Sequence, residues 1–384
     1  MQIMIPSRED SLGSLAEVIP SCFLAMQQKS NRLGLSPTRS AILVVVDGLG
    51  DDNLREYAGH ARGLWSSRIA SLQSTFPSTT AVAITTLTTG VLPGQHGMVG
   101  YRVRNPENNH LLNQLSGWGK YMVPSHWQLA PTLMRQSAER CYVLSDAKHR
   151  TSGFSQAVLA GAEYLGIDGL SERFARALEL IQDAHRTPNG PGVFCYVYVS
   201  SLDQAAHKSG VGSREWLEAL ESIDHEFRLM TSRLDDQSGL LLVADHGVIN
   251  VPRVSQRIVP VSSELFAGVQ SLGGEPRCLQ LYFSEPGSSI DAAVLEAAKE
   301  RWSRAYPEEA LVFTRSEAID AGLFGEVSAE VLPRFGDLFV MALGDHAFYR
   351  DDELGGTSMV GQHGALSEKE LFIPVIAAGT FNKR

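Results

Sequence analysis

The stretch AILVVVDGLG (41–50) runs through an unbroken series of apolar residues and stops abruptly at Asp47 and a glycine. A run this short and this rich in β-branched residues leaves no polar face for water, so it fits a strand covered on both sides. FCYVYVSSLD (194–203), GLLLVADHG (239–247), DLFVMAL (337–343) and LFIPVIAAG (371–379) repeat the pattern. Between them, LSERFARALELIQDAH (170–185) and SREWLEALESIDHEFRLMTSRL (213–234) place apolar residues at helical spacing. Strands alternating with helices predict an α/β fold, a mainly parallel sheet sandwiched by helices.

Two regions break the alternation. Residues 100–135 are polar and aromatic and read as a loop insertion. Residues 251–335 contain RCLQLYFS, SIDAAVLEAAKERWSRAY and EALVFT, a β-α-β pattern that predicts an inserted, cap-like α+β subdomain. Residues 1–38 read as a helical N-terminal extension, which leaves 39–250 and 336–384 as the catalytic core.

A net charge of −10 excludes a nucleic-acid polymer as the main partner, because that binding needs a basic face to neutralise phosphates. A local basic pocket for one small phosphate ester stays compatible with it. No stretch is long and apolar enough to suggest a membrane span, and the N-terminal residues lack the basic and apolar pattern of a secretory signal. The four cysteines form no CxxC pair, and Cys195 lies inside an apolar run, which predicts a buried free thiol. The expectation is a cytoplasmic protein without a membrane partner.

In open α/β sheets, ligands bind beyond the carboxyl ends of the strands. Asp47 ends one apolar run there, Asp203 and His207 follow a second, and Asp245 and His246 follow a third; GQHG adds His363. Asp203 and His207 are four apart, which puts both on one face if that segment is helical. Adjacent side chains such as Asp245 and His246 diverge unless the backbone turns, and Gly247 permits a sharp turn. Six carboxylate and imidazole ligands can hold two zinc ions with an open position on each, and other divalent metals suit the same donors. A single Asp at a strand end is usually a cap or turn residue; six such residues at strand ends are not explained that way. STFPSTT (74–80) carries five hydroxyl side chains, and its residues alone do not say whether one does chemistry.

Taken in order, VVVDGLG, TFPSTTAVAITTLTTGVLPGQHGMVGY, LDQAAHKSG, VADHG and GQHG resemble the nucleotide pyrophosphatase/phosphodiesterase family of the alkaline phosphatase superfamily. The resemblance runs from about residue 41 to 375 and implies an alkaline-phosphatase-like core. It implies that Thr75 is the nucleophile and also a metal ligand. One zinc would be held by Asp203, His207 and His363, the other by Asp47, Asp245 and His246 together with Thr75. The implied reaction is hydrolysis of a small phosphate diester, nucleotides included, through a covalent phospho-threonine. Ser78, Thr79 and Thr80 then read as capping or packing hydroxyls.

Where the family has an Asn that donates to a phosphate oxygen, this chain has Tyr101, with Asn105 nearby as a substitute. Phe76 is placed to stack on a base or aryl group, with Trp118, Tyr121 and Trp127 as the opposite wall; the same aromatics equally fit packing of the insertion onto the core. Arg102, Arg104 and Lys120 are candidates for positive charge. Sulfatase chemistry is excluded, because STFPSTT lacks the Cys and Arg of the C/S-x-P-x-R stretch. Cofactor-independent phosphoglycerate mutases share the DG strand, but the second acidic-histidine cluster they carry has no counterpart here. A phosphonate hydrolase or phosphomonoesterase of the same superfamily is the nearest alternative. From another class, a catalytically silent zinc-binding scaffold has no use for a nucleophile on an open metal.

Overall fold

The computed structural model describes residue 5, residues 13–187 and 190–285, residue 288 and residues 290–382. Among the described residues the larger sheet has seven strands. Their order is Arg68–Gln73, Phe372–Gly379, Ser238–Val243, Ser40–Val46, Val193–Val199, Arg140–Ser145 and Glu163–Gly166. Ser40–Val46 lies at its centre, parallel to both neighbours, with Val46 beside Val199 and Val45 beside Val243. Phe372–Gly379 is antiparallel to Ser238–Val243 and to Arg68–Gln73. The expected mainly parallel sheet is therefore present. Each central strand is buried along its length, as continuous apolar runs require.

Helices cover both faces. Leu170–His185 buries Phe174, Ala177, Leu178 and Ile181, and Arg214–Thr231 buries Trp216, Leu220, Ile223 and Phe227. Ser213 caps the second of these, its hydroxyl accepting from Trp216 N. Val18–Met26 is packed into the core, where Phe23 meets Phe194 edge-on at 4.9 Å. The part of the N-terminal extension at residues 1–4 and 6–12 lies outside the described residues. All four cysteines are buried and free. No helix among the described residues is long and apolar enough to cross a membrane.

A second, antiparallel sheet has the order Ala310–Thr314, Leu338–Ala342, Cys278–Tyr282, Ser271–Glu275, Arg102–Arg104 and Leu111–Asn113. It corrects the sequence reading twice. The run DLFVMAL is not a core strand: Leu338–Ala342 sits between two strands of the insertion, so the smaller unit extends past 335. The segment read as a loop insertion supplies two short strands to the same sheet. Apolar runs show that a strand is buried, but the pairing partner is a long-range choice they do not encode. The helix Ala292–Ala305 packs here through Ala298 and Trp302, which is fully buried.

The two sheets are bolted together by a buried ion pair. Arg277, in the turn between Ser271–Glu275 and Cys278–Tyr282, donates Nη2 to Glu370 Oε2 at 2.7 Å and Nε to Oε1 at 3.1 Å. Both side chains are fully buried. Replacing one partner leaves an uncompensated charge, so Arg277→Met should cost about 3–5 kcal/mol. Urea unfolding measures this, and a variant as stable as the parent would remove the pair from the structural account.

Candidate metal and phosphoryl-transfer site

The six Asp and His side chains converge where the central strands end. Asp47 follows Ser40–Val46 directly, and its N–H donates to Val199 O at 2.9 Å, continuing the sheet. Asp203 and His207 lie one turn apart on the helix Ser201–Ser209, with His207 Nε2 3.1 Å from Asp203 Oδ2. His246 Nε2 is 3.4 Å from Asp47 Oδ1 and 3.5 Å from Asp245 Oδ2. His363 stacks on His246 with ring centroids 3.7 Å apart and lies 5.3 Å from His207.

Glycine makes two of these approaches possible. Gly48 adopts φ +76, and a Cβ there would sit 2.9 Å from Asp203 Oδ1. Gly247 is needed for room rather than for a turn: its Cβ would fall 1.9 Å from Lys369 O.

The backbone orients every imidazole. Nδ1 of His207 meets Gly361 O at 2.8 Å, that of His363 meets Ser78 O at 2.8 Å, and that of His246 meets Gly247 O at 3.2 Å. A carbonyl only accepts, so each Nδ1 carries a proton and each Nε2 is presented to the cluster. Asp47 Oδ1, Asp203 Oδ1 and Asp245 Oδ2 are buried and have no hydrogen-bond partner among the described residues. Burial and the neighbouring Asp245 and Asp203 carboxylates push Asp47 well above the ordinary carboxylate range. Burial and Asp203 raise Asp245 to about 7. Burial opposes ionisation of Asp203 too, but the hydrogen bond and charge of His207 hold it at about 2. Burial would likewise lower His207, yet Asp203 raises it to about 9. His363 falls well below its usual value through burial and the charge of His246. Three orphaned carboxylate oxygens facing three inward imidazole nitrogens are the donor set of a divalent cation.

Two trios bring their ligand atoms within 4.8 Å of one another: Asp203, His207 and His363, and Asp47, Asp203 and His246. The first is the trio the sequence suggested. In the second, Asp203 stands where Asp245 was expected. Asp245 stays beside it, its Oδ1 taken up by the N–H groups of Gly48 (3.1 Å) and His246 (2.9 Å).

Thr75 is buried, its hydroxyl donating to Pro77 O at 3.2 Å. The preceding Ser74 is tied to the site, donating its hydroxyl to the Asp245 carbonyl. The helix Thr80–Thr89 starts five residues after Thr75, and Thr80 Oγ1 lies 3.2 Å from His246 Nε2. Thr80 is thus more than a packing hydroxyl. Ser78 donates to Ala365 O at 2.7 Å and so braces the loop that carries His363.

A cavity of about 610 Å³ opens over the cluster, lined by Asp47, Asp203, His207 and His363 together with Thr79, Thr80, Tyr101 and Tyr198. Tyr101 therefore faces the site. Four other expectations for the substrate pocket are corrected. Phe76 is 2% exposed and packs among Phe313, Phe324 and Phe339, at centroid distances of 5.7 to 6.0 Å. Asn105 is spent on a turn, bonding Tyr121 O and Glu107 N. Trp127 is buried under the Arg334 guanidinium, 4.1 Å from its ring. Trp118 donates to Gln114 O and packs against the core. In each case burying an aromatic or satisfying an amide inside the protein outweighs exposing it to a ligand.

Tyr198 and Glu275 are among the pocket residues that escaped the sequence reading. Tyr198 donates its hydroxyl to Asp47 Oδ2. Its signal was available: Tyr196 and Tyr198 alternate on one face of the strand that leads to Asp203. Glu275, 7% exposed, reaches the cavity from the second sheet, and its Oε1 lacks a partner among the described residues. Burial raises its carboxyl to about 8. No local pattern marks it.

The sequence profile described as type I phosphodiesterase / nucleotide pyrophosphatase matches residues 41–366. No curated protein sequence matches the chain. Among solved structures, murine ectonucleotide pyrophosphatase/phosphodiesterase 5 superposes with a TM-score of 0.65 at 15% identity, covering 88% of each chain. The phosphonoacetate hydrolase of Sinorhizobium meliloti 1021, in complex with phosphonoacetate, gives a TM-score of 0.63 at 18% identity, covering 89% of this chain and 91% of its own.

A ligand held by a hydrogen-bonded carboxylate depends on that outer contact. Tyr198→Phe should weaken zinc binding about 10-fold or more, read by competition with a chromophoric chelator. Unchanged affinity would detach Asp47 from the metal site.

Proposed function

Because this chain belongs to the type I phosphodiesterase / nucleotide pyrophosphatase family, we propose that it hydrolyses small phosphate diesters, nucleotides included, through a covalent threonine intermediate at a two-zinc site. The family consists of hydrolases of phosphate ester and anhydride bonds, and the chain is a hydrolase by that membership. The observation that carries the finer reading is the pair of ligand trios that share Asp203 beneath one cavity.

Two divalent cations held there would supply Lewis-acid activation of the nucleophile and neutralise charge on the phosphoryl group. The chain's own residues do the rest. Rotation about the side-chain torsion of Thr75 frees its hydroxyl from Pro77 O, and the oxygen attacks phosphorus as its proton passes to water. The N–H groups at the start of the helix Thr80–Thr89 and the phenol of Tyr101 offer donors to the phosphoryl oxygens. The leaving oxygen takes up a proton from water and departs as the alcohol, and a second water then attacks the same phosphorus, releasing the phosphate monoester and returning a proton to Thr75 Oγ1. A small phosphate or phosphonate ligand is also supported by the murine relative's complex with AMP and by the bacterial complex with phosphonoacetate.

A second assignment has its own observation. Thr80, and not Thr75, has its hydroxyl on a ligand histidine in this conformation. Turnover of bis(p-nitrophenyl) phosphate and p-nitrophenyl phosphate by the zinc-loaded protein separates the cases. The expected result is diester preference, with Thr75→Ala lowering kcat by about 10³-fold or more while retaining zinc. Loss in Thr80→Ala with Thr75→Ala still active would move the nucleophile to Thr80. Monoester preference would make the protein a phosphomonoesterase. Cleavage of phosphonoacetate with neither ester turned over would make it a phosphonate hydrolase. Equilibrium dialysis should find two zinc ions per chain; markedly fewer would overturn the two-ion scheme.

A further inference from the structure

The basic residues that the sequence offered for charge recognition separate in the fold. Arg104 is buried, its guanidinium 4.5 Å from the Tyr282 ring and bonded to Ser284 O. Lys120 rests over Tyr121 at 5.0 Å. Arg102 alone of the three lines the cavity, and Arg350, from a distant part of the chain, lines it too. Between them stands Glu353. Arg102 grips its carboxylate with both terminal nitrogens, Nη2 reaching Oε1 at 3.3 Å, and Arg350 Nη2 donates to the same oxygen at 3.0 Å.

From this arrangement we infer that Arg102 and Arg350 form a subsite for a second anionic group, a carboxylate or a phosphoryl, on the substrate whose phosphorus is bound at the metal cluster. The inference rests on the phosphoester-hydrolase reading of that cluster. Glu353 marks the place such a group takes. A bidentate guanidinium contact completed by a second guanidinium is the geometry by which arginine recognises carboxylate and phosphate.

The mounting of the three side chains differs in a way that favours exchange. Arg102 begins the strand Arg102–Arg104 and pairs with Gly274, and Arg350 ends the strand Ala347–Arg350, so both cations stand on sheet backbone. Glu353 is in the turn that follows, ahead of the short helix Leu354–Gly356. Its side chain is 30% exposed, so water can take over its charge when a substrate anion displaces it. Asp352 bonds Arg350 Nε and is half exposed, which keeps that guanidinium aimed without occupying its other nitrogens. Glu353 and Asp352 balance the two cations at rest, so the wall attracts a doubly anionic ligand as the Glu353 side chain gives up its place.

The test is calorimetric binding to the zinc-loaded protein. Propylphosphonate and 3-phosphonopropionate differ only in a terminal carboxylate, as do hexylphosphonate and 6-phosphonohexanoate, so a short and a long reach are both tested. Ethane-1,2-diphosphonate replaces the carboxylate with a phosphoryl group. At one length or the other, the doubly anionic probe should bind about 10-fold more tightly than its alkyl partner. Arg102→Ala and Arg350→Ala should each erase most of that ratio, and Glu353→Gln should increase it. A preference for the carboxylates over the diphosphonate identifies a carboxylate tail, and the reverse a phosphoryl tail. If the alkylphosphonates bind but the anionic tail adds nothing at either length, or its advantage survives both arginine variants, the subsite is overturned while the phosphoester reading stands. If no phosphonate binds at all, the phosphoester reading itself falls, and the subsite with it.

Discussion

Glu370 is fully buried, and with its neighbour Leu371 it braces three loops of the site. Its carboxylate takes both contacts from Arg277, the N–H of Ala365 at 3.0 Å and the hydroxyl of Ser367. Its backbone carbonyl accepts from Gly247, next to His246, and the carbonyl of Leu371 accepts from Ser74, next to Thr75. One short segment therefore sets the loop of His363, the turn after His246 and the entry to the turn that carries Thr75. A carboxylate in that position is tolerable only because a guanidinium of matching shape meets it; unpaired, it would cost several kcal/mol. The guanidinium comes from the second sheet, so the smaller unit is a structural component of the site and not only a cover for it.

The site itself concentrates negative charge at the ends of three parallel strands. Asp47, Asp203 and Asp245 are too close and too deep for all three to ionise comfortably, which is why Asp47 and Asp245 are pushed upward. Asp203 escapes through its helix partner His207. A carboxylate cluster of this kind is stable as ligand to a cation and costly otherwise. The imidazoles, each held at Nδ1 by a backbone carbonyl, have their orientation settled in advance. That preorganisation lets a metal site direct charge at a phosphoryl group without rearranging during reaction.

The cavity gains its remaining walls from both sheets. Tyr198 arrives on a central strand, Arg102 on the strand Arg102–Arg104 of the smaller sheet with Tyr101 just before it, and Glu275 at the end of the strand Ser271–Glu275. Phe76, by contrast, turns into the smaller unit and joins a cluster of four phenylalanines. The residue beside Thr75 thus anchors the two units to each other, and polar and tyrosyl groups, more than stacked aromatics, line the cavity.

His363 stood out only by its flanking glycines; the other five candidate ligands were legible because they lie within a few residues of an apolar run that ends at a glycine or a helix start, a local pattern set by where a parallel strand must stop. The sandwiched sheet was legible for the same reason, since continuous apolar runs admit few other burials. Thr75 emerged only through family resemblance, as five hydroxyls in a row are chemically alike. Strand membership of Leu338–Ala342 depended on pairings tens of residues away, and the inward turn of Phe76 and Trp127 and the meeting of Arg102 with Arg350 on contacts across more than two hundred. Such pairings are decided by the total packing of two sheets, and no window of sequence contains that energy. Spacing at the strand ends was enough to mark the carboxylate and imidazole donors; the shape and charge of the space above them are products of the tertiary structure.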